Sequence, residues 1–65
     1  MDLEELRSRF LTVYAAVPNK MRGEIIALVD DKPYNWDSAY IEVFGSTSAG
    51  KEILKHLENM GIFTK

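Results

Sequence analysis

Cysteine is absent from this chain, and its only two prolines, Pro18 and Pro33, each interrupt a predicted helix. Without cysteine there is neither a disulfide framework nor a cysteine-based zinc site, which are the usual supports of so small a domain. A reducing compartment fits this composition, so we predict a cytoplasmic protein. The 65 residues suffice for one domain, and we predict a single small globular domain over residues 1–65.

Long hydrophobic runs and a signal-peptide pattern are also missing. No apolar stretch approaches the roughly 18 residues that a membrane-spanning helix needs. The chain begins with the acidic segment 2–5, whereas a secretory signal begins with basic residues. We therefore expect neither a leader nor a membrane association.

An excess of positive charge is missing as well. The net charge is −2, with acidic and basic residues mixed along the chain, whereas proteins that hold nucleic acid through its phosphates are usually basic. Hydrophobic residues, by contrast, make up 46% of the chain. This is ample for a core and leaves apolar surface for an oligomer.

Two helices follow from apolar residues spaced three and four apart. The first is predicted over residues 2–17, with Asp2 as its N-cap and an end before Pro18. The second is predicted over residues 46–60, with a serine or threonine cap among residues 46–48. Gly61 suits the left-handed position after this helix, and Ile62 is expected to fold back on Leu57.

The segment between these helices is ambiguous. Met21, Ile25, Leu28 and Val29 have helical spacing, but Gly23 would cost that helix about 1 kcal/mol relative to alanine. The run from Ile25 to Val29 would serve equally well as a buried strand, because periodicity does not separate the two in so short a run. We favour a helix over residues 19–30, followed by a loop.

Residues 36–44 carry a complete helical stripe, preceded by Asn35 as an N-cap and followed by Gly45. The stripe directs inward Trp36, Ala39, Tyr40, Val43 and Phe44. The predicted fold is therefore all-α, a compact bundle of four short helices. The alternative is an α-β-β-α arrangement with a two-stranded hairpin formed by residues 24–29 and 36–44.

Two segments imitate ligand-binding motifs. Residues 45–51 match Gly-x-x-x-x-Gly-Lys of a phosphate-binding loop, but Glu52 stands where that loop needs a hydroxyl for magnesium. We interpret the segment as a helix cap, with Gly50 packed against a neighbouring element. A calcium loop starting at Asp31 fails because Pro33 and Trp36 occupy positions that need an oxygen ligand and a glycine. We predict no metal and no cofactor.

Catalytic chemistry is not visible in the sequence. His56 is the only histidine, and no nucleophile or base is placed beside it by a recognisable pattern. We predict a protein that is not an enzyme and has no catalytic residues.

The remaining function is binding. We predict a small protein-interaction domain whose partner is an unidentified protein or a second copy of the chain. Its predicted partner-binding residues are apolar or aromatic and fall outside the main stripes, or belong to types enriched at binding hot spots: Tyr34, Ile41, Ile62 and Phe63. The less favoured alternative is a nucleic-acid-binding helical module with a modest basic patch of Arg7, Arg9, Lys20 and Arg22.

Overall fold

The computed structural model describes residues 2–63, and within them it contains three α-helices and one β-hairpin. The order of elements is α1 (Leu3–Ala16), a short 3₁₀ helix (Asn19–Met21), β1 (Ile25–Val29), β2 (Lys32–Asn35), α2 (Trp36–Phe44) and α3 (Ser48–Asn59). The two strands pair antiparallel. Helix α3 lies at the centre, because it packs against α1, α2 and β1.

The prediction of a four-helix bundle is therefore wrong. Residues 19–30 do not form a helix: a single 3₁₀ turn follows Pro18, and the chain then extends into β1. The β-branched residues of β1 suit a strand that is half covered by the protein. Tertiary packing against α3 thus decided between two local structures that the sequence pattern allowed equally.

The hairpin turns through only two residues, Asp30 and Asp31. Both have left-handed backbone angles, with φ of 52° and 65°. Two consecutive residues with positive φ form the type I′ turn, whose twist matches that of paired strands. The register that follows aligns Val29 with Lys32 and Leu28 with Pro33.

The α-β-β-α alternative fits the structure in placing a two-stranded hairpin after the first helix. The second strand of the structure, however, lies at Lys32–Asn35. Residues 36–44, where the alternative placed that strand, form α2. The predicted cap of α2 is confirmed, since the Asn35 side chain accepts from the Ser38 N–H at 2.7 Å. The Ser38 hydroxyl accepts in return from the Asn35 N–H at 2.9 Å, which completes a capping box.

The first and last helices confirm their predictions. Asp2 caps α1 by accepting from the Glu5 N–H at 2.8 Å, and α1 ends before Pro18. Thr47 caps α3 by accepting from the Gly50 N–H at 3.0 Å. These side chains satisfy donors that the first turn of a helix leaves without an intrahelical partner.

Helices α2 and α3 end in the same hydrogen-bond motif. At the end of α3, the Ile62 N–H donates to the Leu57 carbonyl at 3.2 Å, with Gly61 left-handed at φ 83°. This is the predicted Schellman ending. At the end of α2, the Thr47 N–H donates to the Glu42 carbonyl at 3.1 Å, and the left-handed residue is Ser46 at φ 56°.

One core lies between the helices and the inner face of the hairpin. Gly50 is buried where α3 approaches α2, and a Cβ at this position would overlap the Glu42 main chain. The predicted packing of Gly50 against a neighbour is therefore confirmed. The buried hydrophobic residues are Leu6, Phe10, Ala27, Tyr34, Ala39, Val43, Ile53, Leu54, Leu57 and Phe63.

Phe44 does not point into this core, contrary to the prediction, and is 57% exposed. The buried side of α2 is centred on Ala39 and Val43. Phe44 is one residue beyond Val43, about 100° further round the helix, which turns its ring to the edge of the interface with α1.

Candidate functional site

A row of stacked rings runs across the surface between α1 and α2. Tyr14 of α1 stacks on Tyr40 of α2 with centroids 4.5 Å apart, and Tyr40 stacks on Phe44 at 5.6 Å. An arginine closes each end: the Arg22 Cζ lies 4.4 Å from the Tyr14 centroid and the Arg7 Cζ lies 5.6 Å from that of Phe44. We call these five residues the aromatic column. Its cation–ring contacts hold the rings in place from both ends.

Helix geometry explains why the column forms. Tyr40, Ile41 and Phe44 stand three, four and seven residues after Asp37, which places all four on one side of α2, its outer face. Arg7 and Tyr14 are two turns apart on α1. They therefore contact α2 at two positions along its length, Arg7 at Phe44 and Tyr14 at Tyr40. Ile41 lies next to the column and is 66% exposed. Apart from Asp37, the outer face of α2 is thus apolar and aromatic.

Asp37 fixes one end of this surface. The Tyr14 hydroxyl donates to the Asp37 Oδ1 at 2.8 Å. This hydrogen bond, assisted by desolvation, raises the pKa of Tyr14 above its ordinary value of 10.0, while the charge of Arg22 lowers it. Tyr14 therefore remains a neutral donor at and well above neutral pH.

All three arginines of the predicted nucleic-acid-binding patch donate hydrogen bonds to main-chain carbonyls of the protein itself. Arg7 donates from Nε to the Val43 carbonyl at 3.2 Å and from Nη2 to the Phe44 carbonyl at 3.1 Å. Arg7 thereby caps the C-terminal end of α2. Cations near a helix C-terminus satisfy its last carbonyls and its dipole.

The other two arginines, Arg9 and Arg22, also donate to main-chain carbonyls, but outside α2. Arg9 donates to the Phe63 carbonyl at 3.0 Å, and Arg22 donates to the Tyr14 carbonyl at 3.4 Å. Lys20 lies exposed in the 3₁₀ helix. Because Arg7 faces α2 and Arg9 faces the C-terminal segment, the predicted basic patch is divided between two sides of α1. The sequence did not predict these hydrogen bonds, although the arginines and the helix ends were each identified from it.

The four predicted partner-binding residues do not form one surface either. Tyr34 and Phe63 are buried, with 6% and 3% of their surface exposed. Ile62 lies beside Ser8, Thr12 and Val13 of α1. Ile41 alone belongs to the outer face of α2. The aromatic column was not predicted, because it joins residues of α1 and α2 that are far apart in the sequence.

The segment that imitates a phosphate-binding loop, residues 45–51, has five of its seven amides engaged in hydrogen bonds. The N–H groups of Ser46 and Thr47 donate to carbonyls of α2, and the Gly50 N–H donates to the Thr47 hydroxyl. A phosphate cradle needs such groups directed at the ligand. The geometry therefore supports the interpretation of this segment as a helix cap.

Residues 2–63 contain no group of three histidine, aspartate or glutamate side chains that could hold a metal ion. None of the helices in this range is both long and apolar enough to cross a membrane. Compared with known proteins, the chain matches no family model, no curated protein and no solved structure.

Proposed function

We propose that this chain is a non-enzymatic protein-interaction domain that binds through the outer face of α2. The observation that carries the proposal is the exposure of Ile41 and Phe44, at 66% and 57%, on one side of a short helix. The core is complete without them. Burying each side chain against a partner would contribute about 1.5–3 kcal/mol.

The surface around these two residues is already ordered. Phe44 is held between Tyr40 and Arg7, so a partner would fix few additional torsions on binding it. Side chains that are ordered in advance reduce the entropic cost of association. Aromatic residues and arginine are also the types that contribute most to protein interfaces.

We further propose that a second copy of the chain is a partner of this face. Asp37 lies with Arg22 beside Tyr14 at the N-terminal end of the face, and Arg7 lies over Phe44 at its C-terminal end, so the exposed centre of the face is apolar. Two copies related by a two-fold axis, with their α2 helices antiparallel, would pack Ile41 and Phe44 of each copy against those of the other. A two-fold interface requires such self-complementarity.

Sedimentation equilibrium at micromolar concentration tests this proposal. The wild-type chain should sediment at twice its mass of 7.4 kDa, and Ile41→Asp should sediment at the single mass while keeping its circular dichroism spectrum. Ile25→Asp is the matched control, because Ile25 is also an exposed isoleucine, at 59%, but lies on β1. Amide shifts on dilution should map to α2.

A wild-type chain that remains at the single mass would remove the second copy as a partner. Equal effects of Ile41→Asp and Ile25→Asp would remove the α2 face as the specific surface. The nucleic-acid alternative receives less support, because its arginines are divided between two sides of α1 and the chain carries a net charge of −2. The cytoplasmic location stays a prediction.

A further inference from the structure

The two outer edges of the hairpin differ. In a two-stranded sheet each strand has one edge that faces away from its partner, and an open edge is a template for another strand. The edge of β2 carries Lys32 and Pro33, and charge and proline both discourage pairing. The edge of β1 belongs to an uncharged run of five apolar residues. Over residues 2–63, β1 makes no backbone hydrogen bonds outside its ladder with β2.

The turn determines which groups of β1 face outward. Val29 and Lys32 flank the two-residue turn and form its hydrogen-bonded pair. Pairs alternate along an antiparallel ladder, so Leu28 and Pro33 are a non-bonded pair. The N–H and carbonyl of Leu28 therefore point to the open edge. Pro33 fits the corresponding outward position of β2 because it has no N–H to leave unpaired.

A groove with a volume of about 680 Å³ lies beside this edge of β1. One wall consists of three consecutive residues, Leu28, Val29 and Asp30. Successive side chains of a strand point to opposite faces, so the presence of both Leu28 and Val29 in this wall places the groove along the edge of β1, and Asp30 extends it to the turn. The opposite wall is polar and belongs to α3: Ser48, Glu52, Lys55, His56 and Asn59.

We infer that this groove binds an extended segment of another protein, which adds to the sheet as a third strand along β1. Main-chain groups of the segment would pair with the outward N–H and carbonyl of Leu28, the pairing used in β-strand addition. The register of β1 is irregular between Ile25 and Ala27, so its regular part, residues 27–29, pairs with a segment of about three residues that advances about 3.3 Å per residue.

The charges along the groove select the sequence of that segment. Asp30 and Glu52 lie at the turn end beside the first turn of α3, where the two carboxylates outnumber the single cation of Lys32. Lys55 and His56 lie further along α3, beside Leu28. A segment antiparallel to β1 enters at the turn end. It would therefore carry a basic residue and, two positions later, an acidic residue, because Glu52 and Lys55 are only about 5 Å apart along the axis of α3 and two strand residues span about 6.6 Å.

This inference is independent of the α2 face, because the groove shares no residue with the aromatic column. Either site can fail while the other stands.

The test uses an acetylated and amidated seven-residue peptide of Thr and Val with Lys at its third position and Asp at its fifth. Added to the ¹⁵N-labelled chain, it should produce saturable amide shifts in β1 and in residues 48–59. Exchange of the Leu28 amide with solvent should slow, because this amide becomes hydrogen-bonded. The same peptide with Lys and Asp exchanged is the charge control and should bind at least about fivefold more weakly.

Two variants locate the site. Lys55→Glu should weaken binding about fivefold and should reverse the preference between the two peptides. Lys51→Glu is the matched control, because Lys51 lies on the same helix but borders α1 and α2, and it should bind as the wild type does. Leu28→Pro removes the outward N–H without removing a bond to β2 and should also weaken binding.

Three outcomes would overturn the inference. They are the absence of saturable shifts at millimolar peptide, shifts that map to α2 instead of β1 and α3, and unchanged affinity in both Lys55→Glu and Leu28→Pro. Since Lys55 is exposed, its substitution tests the groove even if the proline variant does not fold.

Discussion

Two short connections of this chain use the same unusual backbone conformation in different surroundings. Ser46 between α2 and α3, and Asp30 with Asp31 between β1 and β2, are non-glycine residues with positive φ. Around Ser46, two main-chain hydrogen bonds and a threonine cap fix the chain. At Asp30 and Asp31, no side-chain hydrogen bond is found within residues 2–63, and only the strand ladder shapes the turn.

The difference shows two ways of holding a strained residue. The connection between α2 and α3 is determined by its immediate neighbours, and Gly50 packed against Glu42 and Val43 keeps the helices in close contact. The turn is determined by strand pairing. We therefore expect loss of the close contact at Gly50 to destabilise the whole fold, and relief of the positive φ at the turn or at Ser46 to have a smaller and stabilising effect.

The largest effect is expected for Gly50→Ala. The added Cβ would overlap main-chain atoms of Glu42, which cannot rotate away as a side chain can, so α3 must separate from α2. We expect a loss of about 3 kcal/mol or more in the free energy of unfolding, comparable with severe overpacking. Urea denaturation followed by circular dichroism measures it.

Gly23→Ala is the matched control, because no atom lies within 4 Å of a Cβ at that position. Its free energy of unfolding should stay within about 0.5 kcal/mol of the wild type. Equal stability of the two alanine variants would show that the approach of α3 to α2 is not close.

A smaller effect of opposite sign is expected at the turn. The double substitution Asp30→Asn with Asp31→Gly creates the Asn-Gly pair that type I′ turns prefer. It leaves the pairing of β1 with β2 unchanged. It should raise the free energy of unfolding by about 1 kcal/mol, as measured by thermal or urea denaturation. A decrease would mean that the two carboxylates stabilise the turn.

The smallest effect is expected for Ser46→Gly. Glycine relieves the left-handed strain of about 1–2 kcal/mol, but its unfolded state has more conformational freedom, which offsets about 0.5–1 kcal/mol. The net gain should be about 0.5 kcal/mol in the same denaturation measurement. The reverse substitution at the equivalent position of α3, Gly61→Ser, should destabilise the chain, and a gain there would contradict the strain argument.

The helices could be predicted because their signals are local. Asp2, Asn35 and Thr47 act at helix starts as cap residues do, and Gly61 adopts the conformation that glycine favours after a helix. The hairpin was predicted only as the alternative, with its second strand at residues 36–44, because its strands have only five and four residues and Asp-Asp is a weaker turn signal than Asn-Gly.

The candidate sites were less predictable than the helices. Ile41 was identified because it fell off the helical stripe, and it is exposed. The aromatic column depends on how α1 lies against α2, which no spacing within one helix specifies. The groove along β1 depends on a strand that the favoured prediction did not contain.

The bond between Arg9 and the Phe63 carbonyl joins residues 54 positions apart in the sequence. Closing so long a loop costs more entropy than closing the two-residue turn of the hairpin or the short connection between α2 and α3. We therefore expect the hairpin and the pair of helices that follows it to form early in folding. Helix α1 would then dock late, so substitutions at Arg9 should accelerate unfolding more than they slow folding.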